Sequence, residues 1–193
     1  LREVKKTFVT PRRTQIESQI EEIVIDQKQM IPSEQVMCTI SRDGYAKRVS
    51  LRSYNASSEA ISGCKDGDVL IGYREVNTLD TLLFFTETGT YGYLPIYELE
   101  DAKWKDMGAH ISSRIRITSQ EKILSACVLS RFDTAGYILT LTKRGVIKRT
   151  AIRDYASSRT SKTMTNIKLE EGDSVIACLF AQEEDEILIA SQS

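Results

Sequence analysis

Two basic pairs, Lys47-Arg48 and Lys148-Arg149, each stand three and four residues after a glycine, Gly44 and Gly145. Arg42, Arg52, Lys143, Arg144 and Arg153 flank them, and Arg159 and Lys162 follow in a polar stretch. Cations gathered this way neutralise phosphates. Duplex DNA carries a charge about every 1.7 Å of its length and rewards neutralisation by counterion release. Such contacts fall on the backbone rather than on base edges, so they hold and bend a duplex without reading it. Bending through roughly 40–90° costs on the order of 1–6 kcal/mol, which further contacts must offset. Because side chains alternate along a strand, Lys47 and Arg48 point to opposite sides, and only one of them is certain to face a ligand.

Other chemistries lack their residues. Asp66-Gly67-Asp68 has two carboxylates at a metal-binding spacing, but Glu171-Gly172-Asp173 repeats the pattern, and a recurring turn accounts for both. His110 is the single histidine and makes neither a triad nor a metal site. Cys38, Cys64, Cys127 and Cys178 are 26, 63 and 51 residues apart with no Cys-x-x-Cys, so reduced and mostly buried thiols are expected rather than zinc. No glycine loop for ATP phosphates is present, and no cofactor, metal or catalytic residue is expected. Trp104 is expected to be buried or at a contact between units.

The elements that position the cations repeat. Cys38 to Tyr54, Leu83 to Leu99 and Leu139 to Tyr155 superpose without gaps on Gly44, Gly89 and Gly145. Ile40, Phe85 and Leu141 stand four residues before the glycine, and Leu51, Ile96 and Ile152 seven after it. Each copy reads as a β-hairpin, an alternating apolar run on either side of a turn whose glycine takes positive φ. A second element recurs around Asp68, Glu121 and Asp173, each followed two residues later by Leu70, Ile123 or Val175 and an apolar strand. We read the unit as this acidic-turn strand, a loop such as residues 74–80, the hairpin, and a linker to the next acidic turn. A period near fifty with about four strands per unit predicts an all-β chain of propeller-like blades, a partial ring of three to four. A fourth hairpin is expected to start at Glu186 to Ser191 (EILIAS) and to be cut short. Leu1 to Phe8 reads as the end of a helix, and Ile16 to Met30 as the source of a first strand, EEIVID.

Over 193 residues, 41% hydrophobic and 27% charged, the composition excludes disorder. No apolar run nears the roughly 18–20 residues of a membrane helix, and the charged first ten residues are no signal peptide. A first residue other than Met suggests a fragment. The net charge of −1 hides blocks of +2 (residues 42–60), −6 (64–101), +7 (143–168) and −7 (170–193). The middle repeat has Gly92-Tyr93 where the outer ones have Lys-Arg, so basicity there is optional for folding. The acidic blocks would repel phosphate and are expected to lie off any DNA path. A rival class of function is a propeller that docks a protein through those blocks, and a third is a free-standing enzyme.

Leu1 to Glu17 (LREVKKTFVTPRRTQIE), the Lys-Arg after the turn glycine, and Glu100 to Ser112 (EDAKWKDMGAHIS) carry a resemblance over the whole chain. They resemble the A-type polypeptide of bacterial topoisomerase IV, of the Gram-positive kind, within the gyrase A family. The resemblance implies a C-terminal β-pinwheel over residues 18–193 that binds and bends duplex DNA, and an exit segment, residues 1–17, from the catalytic core of the same polypeptide. It further implies the B-type ATPase polypeptide of topoisomerase IV as partner, a cytoplasmic place beside the nucleoid, and service in decatenation and relaxation by the whole type IIA enzyme. Carried over by position, DNA-facing residues would be Arg42, Lys47, Arg48, Arg52, Lys143, Arg144, Lys148, Arg149 and Arg153, with Arg159 and Lys162 in the loop. The glycine- and arginine-rich wrapping box of gyrase A is missing from residues 55–63 and 157–166, which favours the topoisomerase IV branch and shallower bending. The cleaving tyrosine of the family follows an arginine, and none of the eight tyrosines here does. Tyr45, Tyr93 and Tyr137 are read as strand packing.

Overall fold

One device closes every hairpin. Ser41, Thr86 and Thr142 accept the N–H of Gly44, Gly89 and Gly145 at their carbonyls (3.1, 3.2 and 2.9 Å). Their hydroxyls accept the N–H of Tyr45, Thr90 and Val146 (3.0, 3.2 and 3.2 Å). The glycines take φ of +92°, +79° and +83°, which a Cβ disfavours. Strands β1 (Gln35–Ser41) and β2 (Tyr45–Ser50), β4 (Thr81–Thr86) and β5 (Thr90–Pro95), and β8 (Tyr137–Thr142) and β9 (Ile147–Ala151) flank these turns. A computed structural model describes residues 3, 30–58, 61–118, 121–158 and 160–190. The chain divides into Leu1–Met30 and Ile31–Ser193, and the hairpins belong to the second unit. Apart from Glu3, the expected exit segment lies outside the described residues, as do the strand EEIVID and Arg159.

The acidic turns act as caps on the hairpin turns. Asp68 accepts the N–H of Asp43 and Val69 (2.9 and 2.7 Å), and Asp173 those of Arg144 and Ser174 (3.1 and 2.8 Å). Glu121 accepts the hydroxyls of Thr88 and Thr90 and the N–H of Thr118. Partial burial would raise the Glu121 pKa, but these donors outweigh it and hold the carboxyl below the usual range. The three acids are structural anions in turns.

The strands that follow these turns are β3 (Leu70–Asn77), β7 (Ile123–Leu129) and β11 (Val175–Ala181). Each pairs with the first strand of the preceding hairpin, as in Cys38↔Arg74, Leu83↔Cys127 and Leu139↔Leu179. This corrects the expected unit, which attached the acidic-turn strand to the hairpin after it. It also corrects the loop expected at 74–80, since β3 runs to Asn77. The fourth strand comes from further along. Strand β6 (Ala109–His110), beyond the second hairpin, pairs with β2, and β10 (Met164–Thr165), beyond the third, pairs with β5. The sheets are therefore β3-β1-β2-β6, β7-β4-β5-β10 and β11-β8-β9. Glu186–Ala190, the expected start of a fourth hairpin, forms no strand, and Leu188 is 97% exposed.

Period-2 alternation gives every sheet two apolar faces, and successive sheets stack through them. Val36, Cys38, Ile40 and Ala46 of the first pack against Leu82, Phe84, Leu94 and Ile96 of the second. Leu83, Phe85, Tyr91 and Tyr93 on the second sheet's other face meet Ile138, Ile152, Tyr155 and Cys178 of the third. Each fully buried large apolar side chain stabilises by roughly 1.5–3 kcal/mol, so these seams hold the sheets together. Among the described residues the remaining face of the third sheet is uncovered, and Ile147 and Leu179 are each 54% exposed. The remaining face of the first sheet, Met37 and Val49, is roofed by Trp104, which stacks edge-on against Tyr54. No helix among the described residues is long and apolar enough to cross a membrane.

Candidate nucleic-acid interface

The segment joining the second hairpin back to β6 builds a clasp around one of the expected DNA contacts. Arg48 donates its N–H to the Glu100 carbonyl (2.9 Å), and its own carbonyl accepts from Ala102 (3.0 Å). The chain then loops outward and returns through Gly108, at φ +82°, to β6. Inside the loop the Lys47 ammonium donates to the carbonyls of Lys103 (3.2 Å), Trp104 (2.6 Å) and Asp106, and lies 5.7 Å from the Trp104 ring centroid. Lys47 is fully buried, and burial pushes its pKa below the usual lysine range against the opposing Asp106 and Cys64. This corrects its expected surface position, because a head group surrounded by carbonyls has no reach to phosphate. Arg48 lies on the opposite face, as alternation required, and is half-buried, its Nε without a hydrogen-bond partner among the described residues.

The middle repeat shows why charge is dispensable at this position. A Cβ on Gly92 would lie 2.6 Å from the Phe84 ring, so no lysine fits there. Tyr93 holds its crossing segment instead, donating its hydroxyl to the Ser157 carbonyl.

The other expected cations are at the surface, mostly beside carboxylates. Arg42 pairs with Glu87 (2.5 Å), and Arg144 with Glu170 (2.8 Å) and the Glu171 carbonyl (2.7 Å). Arg149 stacks 4.3 Å over the Tyr137 ring and approaches Glu183 at 3.5 Å. Hydrogen bonding from Tyr137, then the charge of Arg149, keeps the Glu183 carboxyl below its usual range. Lys148 donates to the Asn166 carbonyl and Arg153 is 3.9 Å from Asp154. Arg52, Lys143 and Lys162 are exposed with no carboxylate within 4 Å among the described residues. The acidic blocks thus do not stand apart from the cations, since Glu87, Glu170 and Glu183 each reach one. Exposed pairs of this kind contribute only about 0.2–1 kcal/mol, so a stronger anion can displace them.

On the segment that carries β6, four exposed cations were not singled out in the sequence: Lys103, Lys105, Arg114 and Arg116. Their signal was a run of four basic residues against Asp106 alone between 102 and 117, directly after the −6 block. With Lys162 and Lys168 on the segment that carries β10, they line the edges of the first and second sheets opposite β3 and β7. Among the described residues no three His, Cys, Asp or Glu side chains converge on a metal site.

The family profile described as DNA gyrase C-terminal domain, beta-propeller, matches residues 35–60, 80–126 and 136–182. The chain belongs to this family. The second and third matched stretches of this gyrase A C-terminal domain each start at a hairpin and run into the acidic-turn strand after it, the same grouping that the sheets show, whereas the first ends before β3. The chain is 40% identical over 191 residues to the A-type polypeptide of DNA topoisomerase 4 from Bacillus subtilis, and 38% over 189 residues to that from Staphylococcus aureus. These matches cover 99% and 98% of the chain but only 24% of each relative. A solved C-terminal domain of DNA topoisomerase IV superposes with a TM-score of 0.73 at 42% identity, covering 79% of this chain and 47% of that one. A DNA gyrase A C-terminal domain gives 0.54 at 25% identity, covering 78% and 49%.

Proposed function

We propose that this gyrase A C-terminal domain binds duplex DNA through its phosphates, without sequence preference, and bends it. What supports the reading is one observation: Lys103, Lys105, Arg114, Lys162 and Lys168 are exposed on the crossing segments of successive sheets with no carboxylate within 4 Å among the described residues. Exposed Arg52 and Lys143 extend the supply. Carboxylate-paired Arg42, Arg144 and Arg153 can exchange their partners for phosphate. In the whole protein the domain would guide DNA to a type IIA topoisomerase core that holds the cleaving tyrosine, with the B-type polypeptide hydrolysing ATP, in the cytoplasm beside the nucleoid.

The test is a mobility-shift series on supercoiled, nicked and linear duplex at several salt concentrations. Five phosphate contacts give a slope of log K against log salt near −4.5, so affinity should fall roughly 500-fold between about 50 and about 200 mM salt. A flat salt response overturns the reading and favours the rival class, protein docking through the acidic blocks. Relaxation of DNA by this chain alone would establish the third class, an enzyme.

A further inference from the structure

Arg116 and Lys162 face each other across a parallel β-bridge. Arg116 donates its N–H to the Ser161 carbonyl (2.9 Å), and Thr163 donates to the Arg116 carbonyl (3.4 Å). The bridge joins the segment that completes the first sheet to the segment that completes the second, so the two cations meet where successive sheets adjoin. Ile115 is buried and Ile117 packs on the core, which turns Arg116, between them, outward. Lys162 is exposed beside it. Paired strands run about 4.8 Å apart, and residues directly opposite project to the same side. Like charges placed so are destabilising. No carboxylate offsets the repulsion: Arg42, Lys122, Arg131, Arg144, Arg149 and Arg153 each have one within 4 Å, but among the described residues neither Arg116 nor Lys162 does.

We infer that Arg116 and Lys162 form a two-cation seat for a phosphodiester of duplex DNA at the junction of the first and second sheets. The inference rests on the proposed DNA binding and assigns it a point of contact. Two neighbouring phosphates on one strand neutralise both charges, or one phosphate bridges the two cations, and either ties the two crossing segments together. The lysine serves as a mobile point charge, and the guanidinium offers a planar fork that two phosphate oxygens can match. The seat turns a repulsion in the free domain into an attraction in the complex, so its removal has effects of opposite sign on stability and on binding.

The experiment compares the 193-residue chain with Arg116→Gln, Lys162→Gln, the double variant, and Lys162→Glu, which gives Arg116 a carboxylate. Without DNA, Lys162→Gln and Lys162→Glu should melt at the same temperature as the parent or up to about 1–3 °C higher, because a repulsion is relieved. On a 20–30 base-pair duplex, each Gln variant should flatten the salt slope by about 0.9, so that the loss of affinity between about 50 and about 200 mM salt shrinks by about 3.5-fold for one and about twelvefold for both. Lys162→Glu should flatten it by at least as much. An unchanged slope in the double variant overturns the seat while leaving DNA binding in place. So does a melting temperature lowered by several degrees in both Lys162 variants, which would make the pair structural. A parent chain that shifts no duplex at about 50 mM salt overturns the DNA reading itself and the seat with it.

Discussion

Replacing Lys47 with methionine removes the ammonium from the clasp and keeps a chain of similar length against Trp104. Three hydrogen bonds from a charged donor disappear. The Trp104 carbonyl still accepts from Gly63 N–H (2.9 Å) and the Ser62 hydroxyl (3.1 Å), and the Lys103 carbonyl still accepts from Asp106 N–H (3.1 Å). The Asp106 carbonyl is the one left short of a partner. Charge-assisted bonds of about 1.5–3 kcal/mol each, set against the relief of no longer burying an ammonium, put the net loss at about 2–4 kcal/mol. Trp104, the sole tryptophan, roofs the same site and reports the transition directly. Urea unfolding followed by its fluorescence should show a midpoint lower by about 1–2 M with an unchanged slope. The pH dependence is a second arm. Lys47 has a folded-state pKa below its unfolded value near 10.4, so between the two the native state binds fewer protons and the parent gains stability as pH rises. The gap between parent and variant should therefore widen from neutral pH towards pH 10. A loss below about 1 kcal/mol refutes the clasp, and a gap that narrows as pH rises refutes the dominance of burial at Lys47.

Glu87→Gln frees Arg42 from its carboxylate and should steepen the salt dependence of duplex binding by up to about 0.9 while changing stability by less than about 1 kcal/mol; an unchanged slope removes Arg42 from the interface. Gly108→Ala should cost about 3 kcal/mol, because the new Cβ at φ +82° would stand 2.7 Å from the Ala46 carbonyl, whereas Gly145→Ala, at φ +83° with open space around it, should cost only about 1–2 kcal/mol; equal melting temperatures for the two would contradict this. Burial pushes the thiol of Cys38 up to about 12 and those of Cys127 and Cys178 up to about 11, so iodoacetamide at pH 8 should modify half-buried Cys64 first and leave Cys38 intact unless the chain is unfolded, as peptide mass mapping would report.

The hairpins were legible because each signal had one physical solution: a glycine that must take positive φ, flanked by residues alternating at period 2. The acidic turns were legible for a related reason, since Asp68 and Asp173 stand where a carboxylate caps the neighbouring turn. Which hairpin each acidic-turn strand joins was not legible, because pairing forward and pairing backward satisfy the same alternation. The burial of Lys47 was not legible, because a charged residue on a half-polar strand reads as solvent-facing. Its long stem instead carries the ammonium to carbonyls more than fifty residues away in sequence. The cations of the β6 segment were hidden by the same gap: residues 102–117 read as a linker until the sheet they complete is known.

The borrowing of β6 and β10 from later in the chain makes the repeats inseparable. On a ribosome the first sheet stays without its outer strand, and Lys47 without its carbonyls, until the second hairpin and the residues through His110 have emerged. Excising one matched stretch, residues 80–126, would delete the second sheet and also unmake the first. An engineer who wishes to shorten or graft this domain must cut after a crossing strand rather than between hairpins.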